Sequence, residues 1–348
     1  MIIISNFLIT SLIFLFATYI GLTLFNIFKF KSNEPIHKFI LSCGLGLGVI
    51  SFSIFFIGIT GFLYKEILVI YFLILLLACW MTNKAKFIFF LKNTKQFLTN
   101  EFKFDSYILY LIIFFLICYI RTLYPLDGND ALHYHTSLPK LFTLKHKIIF
   151  FQGNMYSLIP FFTEMLFIIP IYLKNELLVQ SMHLFITFLC GLTILSFSNK
   201  YLNLKVGIIA CFIFTSSIFI TYFGTMGYDT HFGTFFLLNF IFLFYQWYQT
   251  KENNYLILSS IFAGFSLSCK LVNGISIPAF IIFMVVYNYF TKRFNTKQMA
   301  LKLSLLSIIS FLIFSPWPIR SFIESKGNPV YPILNQIFKS PFIVSTQQ

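Results

Sequence analysis

Apolar stretches alternate with short polar breaks along almost the whole chain. Ten of them suit membrane spans: 2–28, 39–63, 67–82, 106–123, 177–197, 207–223, 233–249, 255–272, 275–290 and 303–318. A helix rises about 1.5 Å per residue, so a hydrocarbon core of ~30 Å asks for about 20 predominantly apolar residues. The stretch 158–173 falls short, at about 24 Å, and contains Pro160, Glu164 and Pro170. The stretch 67–82 is equally short but carries no proline.

Whether 158–173 crosses decides the side of everything after it. If it does not, one side gathers Lys29, Lys31, Lys38, the lysines of 84–103, Lys200, Lys205, Lys251 and the basic residues of 292–302. That side then holds roughly twice as many basic residues as the other, the bias expected of a cytoplasmic face. If the stretch crosses, the bias vanishes. The segment is therefore predicted to be a re-entrant or juxtamembrane helix, which makes 124–176 one long extracytoplasmic loop. The turn Met226–His231 and the segment 317–332 then share its side. On the opposite face, 83–105 interleaves Lys84, Lys86, Lys92, Lys95 and Lys103 with Phe87, Phe89, Phe90, Phe97 and Phe102. That pattern suits a helix lying on anionic lipid, or a solvated linker.

Composition agrees with an all-α polytopic membrane protein: 58% hydrophobic, 10% charged, mean hydropathy +0.83. The net charge of +14 would suggest nucleic acid in a soluble protein. Here the lysines lie between apolar runs, where lipid headgroups are the natural partner, and nucleic-acid binding is discounted. All 6 cysteines sit inside apolar runs without zinc-site spacing, so they read as small packing residues. The first span has no basic residue before it and Lys29 and Lys31 after it, the reverse of a secretory signal, and is expected to stay attached. Gly44, Gly46, Gly48, Gly58 and Gly61 crowd the second stretch, where small residues allow close helix contact. The expected organisation is 1–105 as N-terminal helices plus a cytoplasmic interfacial segment, 106–332 as the main transmembrane module with the extracytoplasmic loop 124–176, and 333–348 as a short tail.

Charge is concentrated in the loop Tyr124–Lys140, which holds Asp127, Asp130, His133, His135 and Lys140. Asp127-Gly-Asn-Asp130 resembles a turn entering a helix, with Asn129 as cap. On a regular helix Asp130, His133, Tyr134 and Ser137 share a face, and His135 points elsewhere. Asp130 is then either a general base tuned by a neighbouring imidazole or a residue that only favours the helix dipole. Asp229 lies in a turn between two spans, flanked by Tyr228 and His231. It is either a solvated acid or a second carboxylate for a metal or a substrate hydroxyl. Lys270, near the outer end of a span, either snorkels or meets an anionic phosphate, with Arg320 as a second cation. Glu164 and Arg121 read as pairing with each other or with loop residues.

The order of these pieces resembles the bacterial GT-C glycosyltransferases, the broad group that includes protein O-mannosyltransferases and lipid A aminoarabinose transferases. It is carried by Asp130-Ala-Leu-His-Tyr-His135 with Pro139-Lys140, Asp229, Gly264 with Lys270, Pro316-Trp-Pro-Ile-Arg320 and Gly327-Asn-Pro-Val-Tyr-Pro332, across about 106–332. The resemblance implies a GT-C-like fold and transfer of a sugar from a polyprenyl-phosphate donor to a glycan, lipid or protein acceptor. Transfer would occur on the extracytoplasmic face of a bacterial plasma membrane. It implies Asp130 as the activating acid, Asp229 as the second carboxylate and Lys270 at the donor phosphate. His133 joins the catalytic candidates. Arg320, Tyr134, His135 and Asp127 join the substrate-binding ones. No cofactor is assigned, and a divalent metal on Asp130 and Asp229 is left open. The group's frequent Asp-Glu pair is Asp130-Ala131 here. The rival classes are a lipid-linked oligosaccharide flippase, which tends to place ionisable groups at mid-membrane, and an O-antigen-type polymerase, which should be richer in loop arginines.

Overall fold

A computed structural model describes residues 2–30, 34–101, 106–152 and 154–342. Among them the chain is helical, with no strand. In order the helices are α1 (Ile2–Ile27), α2 (Pro35–Ile59), α3 (Lys65–Glu101), α4 (Ser106–Arg121), a π turn (Ala131–His135), α5 (Ser137–Lys145), a 3₁₀ turn (Met155–Leu158), α6 (Phe162–Tyr172), α7 (Leu177–Tyr201) and α8 (Leu204–Ser216). They continue as α9 (Ile218–Gly224), α10 (Thr230–Thr250), α11 (Asn253–Cys269), α12 (Asn273–Thr291), α13 (Thr296–Phe314), α14 (Pro316–Glu324) and α15 (Asn335–Phe338).

Eight of the ten predicted spans fall on a single helix, whereas 207–223 is broken at Ser217 between α8 and α9 and 303–318 runs past the end of α13 into α14. Six described helices are long and apolar enough to cross a membrane, seven if α8 and α9 count as one span bent by 66°. The chain is thus an all-α polytopic membrane protein. The break expected after Thr82 is absent, because α3 runs on to Glu101 through a stretch without proline or glycine. Of the interfacial pattern, Phe102, Lys103 and Asp105 lie outside the described residues, as do the side chains of Lys84, Phe89, Lys95 and Phe97. The 158–173 stretch yields only the 11-residue α6, roughly 16 Å long. Its Thr163, Glu164, Met165, Leu166, Phe167 and Ile168 are all buried.

The contacts divide into two compact units. The first comprises Met1–Ile148 and Thr163–Leu238. Within it α1 and α2 touch backbone to backbone: a Cβ on Gly21 would lie 1.7 Å from the Ser42 carbonyl oxygen, and one on Gly46 1.7 Å from that of Ala17. α7 is buried along much of its length and carries Gln180, Ser181 and His183 inward. The second unit comprises Ile149–Phe162 and Asn239–Gln348. Its α11 and α13 meet where Gly264 faces Ile313, and the Ser310 hydroxyl donates to the Ser260 carbonyl at 3.0 Å.

Candidate functional site

The loop leaving α4 is held near its start by two contacts. Arg121 pairs with Asp127 at 2.6 Å, and the Gln180 side chain donates to the Tyr124 carbonyl at 2.7 Å. At Gly128 a Cβ would stand 2.7 Å from the Tyr228 hydroxyl, so the absence of a side chain lets that phenol lie over the loop.

The following turn is wider than an α-helix. The Thr136 amide and hydroxyl both donate to the Ala131 carbonyl, at 3.0 and 2.6 Å, closing a five-residue step. Pro139 supplies a reason: it cannot donate to the His135 carbonyl four residues back, and its ring crowds that carbonyl. The expected face survives in part. Tyr134 donates to Asp130 Oδ2 at 3.4 Å, and both Asp130 and His133 are exposed. Asp130 itself, not Asn129, holds the position ahead of the turn, with no side-chain capping bond.

His135 turns into the protein, 1% exposed. Its Nδ1 is hydrogen-bonded to Glu164 Oε1, and its Nε2 lies 3.9 Å from Asp229 Oδ1. The ring is bounded by Tyr134, at 4.1 Å between centroids, and by Tyr228 edge-on at 5.5 Å. Glu164 comes from the first turn of α6 and Asp229 immediately precedes α10, whose dipole favours a carboxylate there. Burial pushes the Glu164 carboxyl above the usual carboxylate range; its bond to His135 opposes this and the charge of Asp229 adds to it. Burial also raises the Tyr134 phenol, reinforced by the charges of Asp229, Asp130 and Glu164. Behind this group the imidazoles of His183 and His231 stack at 4.8 Å, and the His231 amide donates to His183 Nε2 at 3.2 Å.

The first unit therefore brings together Asp130, Tyr134, His135 and Asp229 from the sequence candidates, and adds Glu164, which sequence reasoning left as a mere ion-pair partner. The signal for Glu164 was an acid inside an apolar segment too short to span. Arg121 and Glu164 do not meet; each pairs with a loop residue. Asp127 is held by Arg121. Among the described residues, one donor atom from each of His135, Glu164 and Asp229 lies within 4.8 Å of the others, so metal-ligating geometry involves Asp229 with His135 and Glu164, not with Asp130.

The other candidates belong to the second unit. Lys270 caps the C-terminus of α11 in extended conformation and is partly exposed. Arg320, on α14, is buried, donates from Nη2 to the Ser157 carbonyl at 2.8 Å and pairs with Glu324 at 3.0 Å. Its Nε and Nη1 have no hydrogen-bond partner among the described residues.

An all-helical polytopic chain with a buried carboxylate–imidazole group beside an exposed acidic loop is the framework of a membrane-embedded enzyme or transporter. A family model described as dolichyl-phosphate-mannose-protein mannosyltransferase matches residues 158–319, which include Glu164, Asp229 and Lys270. The match covers a little under half of the chain and supports a membrane glycosyltransferase of the GT-C type. No curated protein and no solved structure matches it.

Proposed function

We propose that the chain transfers a sugar from a polyprenyl-phosphate-linked donor to an acceptor on the extracytoplasmic face of a bacterial plasma membrane, with Asp130 as general base. The acceptor is a glycan, lipid or protein hydroxyl. Its oxygen attacks the anomeric carbon, its proton passes to Asp130, and the bond from that carbon to the phosphate oxygen breaks to release the polyprenyl phosphate. A phosphate already bonded to the sugar is a competent leaving group, so the protein must supply a base and groups that stabilise the departing charge.

The observation that carries this reading is exposed Asp130 accepting from Tyr134, whose ring packs on His135 and so joins the loop to buried Glu164 and Asp229. An exposed carboxylate can reach an acceptor hydroxyl, and a base must come within hydrogen-bond distance of the proton it takes. For the donor phosphate, Lys270 and Arg320 are the candidate cations. Arg320 supports this by its buried guanidinium with two unpartnered nitrogens.

The test is sugar transfer by purified protein in detergent, where no membrane exists to flip a lipid across. Asp130→Asn should lower the rate about 10²–10⁴-fold and leave donor binding intact. A near wild-type rate would remove Asp130 from the chemistry, and release of no sugar by the wild type from any polyprenyl-phosphate donor would remove the transfer reading.

A further inference from the structure

Proton abstraction by Asp130 leaves the buried group behind it without a task of its own. Side-chain exposure is 1% for His135, 1% for Glu164 and 9% for Asp229. We propose that His135, Glu164 and Asp229 bind a divalent transition-metal ion that ties the Tyr124–Lys140 loop to α6 and to the start of α10.

The spacing is that of a ligand set. One donor atom from each residue lies within 4.8 Å of the other two. Ligands around a four-coordinate ion with bonds of about 2.0–2.2 Å stand roughly 3.3–3.6 Å apart; because Glu164 faces Nδ1 and Asp229 faces Nε2, closure needs a side-chain rotation together with shifts of about an ångström. The hydrogen bonding of the protein also leaves room for an ion: Glu164 Oε2 is buried with no hydrogen-bond partner among the described residues. A buried carboxylate oxygen without a donor is costly, and a cation satisfies it.

Charge points the same way. With both carboxylates ionised, the group keeps a net negative charge even when the ring is protonated. A divalent ion with a neutral ring brings the sum to zero. A proton carried by the group would be released to solvent on binding. An imidazole among the donors disfavours calcium and magnesium, which select oxygen, and favours zinc and its first-row neighbours. The three ligands come from sequence positions 135, 164 and 229, so an ion would cross-link segments that the chain itself joins only through long connections.

The site does not depend on the sugar-transfer reading, and its readout is metal content. Full-length protein in detergent is stripped with a chelator, dialysed, and loaded with Zn²⁺ or Co²⁺. The wild type should retain about one ion per chain by mass spectrometry, show visible d–d absorption with Co²⁺, and melt at a higher temperature with saturating Zn²⁺. His135→Gln and Glu164→Gln should weaken retention by 10-fold or more, whereas Asp130→Asn should retain the ion. Gel filtration checks that the variants remain folded. If either does not, competition of wild-type protein against chelators of graded affinity still decides. Less than a tenth of an equivalent of Co²⁺ on the wild type, without d–d bands, would overturn the site. So would equal retention by folded His135→Gln and Glu164→Gln, which would place the ion elsewhere.

Discussion

Two ion pairs a few residues apart along the same loop use similar chemistry in opposite surroundings. Arg121 and Asp127 meet at 2.6 Å with side chains 33% and 52% exposed, while His135 and Glu164 meet with both at 1%. Water and salt screen the first pair, so its Coulomb attraction is offset by the ordering of two long side chains. The second pair has surrendered its hydration, and each partner depends on the other for compensation. The loop thus has an exposed rim held by a screened pair and a buried root held by an unscreened one. Distance alone would rank the two pairs together; burial separates them.

The sharpest way to break the comparison is to remove the root. Glu164→Ala leaves His135 buried without its hydrogen-bond acceptor and should destabilise the folded protein by about 3–5 kcal/mol. Glu164→Gln, which keeps the volume and an acceptor, should cost less. Denaturant unfolding in mixed micelles measures both. A loss for Glu164→Ala as small as that of an exposed pair would mean that the imidazole finds another partner and that the root is not where the loop is held.

A smaller effect is expected where rim and root touch. Tyr134 donates to exposed Asp130 over 3.4 Å while its ring packs against buried His135. Tyr134→Phe keeps the ring and deletes the hydroxyl, so stability should fall by only about 0.5–1.5 kcal/mol. If Asp130 is oriented by that hydroxyl, kcat should fall with KM little changed. An unchanged kcat would make the phenol a packing group.

The sequence displayed most of the helical framework, because apolar stretches of spanning length are hard to read otherwise and the short, proline-bearing 158–173 segment advertised its difference. The loop's importance was also legible in its density of charge. The direction of His135 was not. A regular 3.6-residue turn puts it off the Asp130 face, but nothing in that periodicity says that the other face is the protein interior, and the widened turn imposed by Pro139 shifts the register besides. Glu164 was hidden for a related reason: an acid in an apolar segment signals a partner without naming it, and the partner lies 29 positions upstream. Arg121 shows the converse, since its pairing with Asp127 six residues on was within reach of local reasoning.

The rim pair supplies the smallest expected effect and the control for the rest. Asp127→Asn removes the charge facing Arg121 while keeping the side chain's shape. Because both partners are substantially exposed, the cost should be about 0–1 kcal/mol and should shrink further as salt rises. The double-mutant cycle with Arg121→Gln isolates the pairing from each residue's other contacts, among them the approach of Arg121 to the Tyr124 ring at 5.9 Å. A coupling energy near that of the buried pair would show that the loop's outer end is as firmly held as its root. Asp130 would then be presented from a rigid platform at both sides. A negligible coupling, with sugar transfer still impaired in Asp127→Asn, would instead assign the Asp127 carboxylate to the substrate, since its effect could not come from holding the loop.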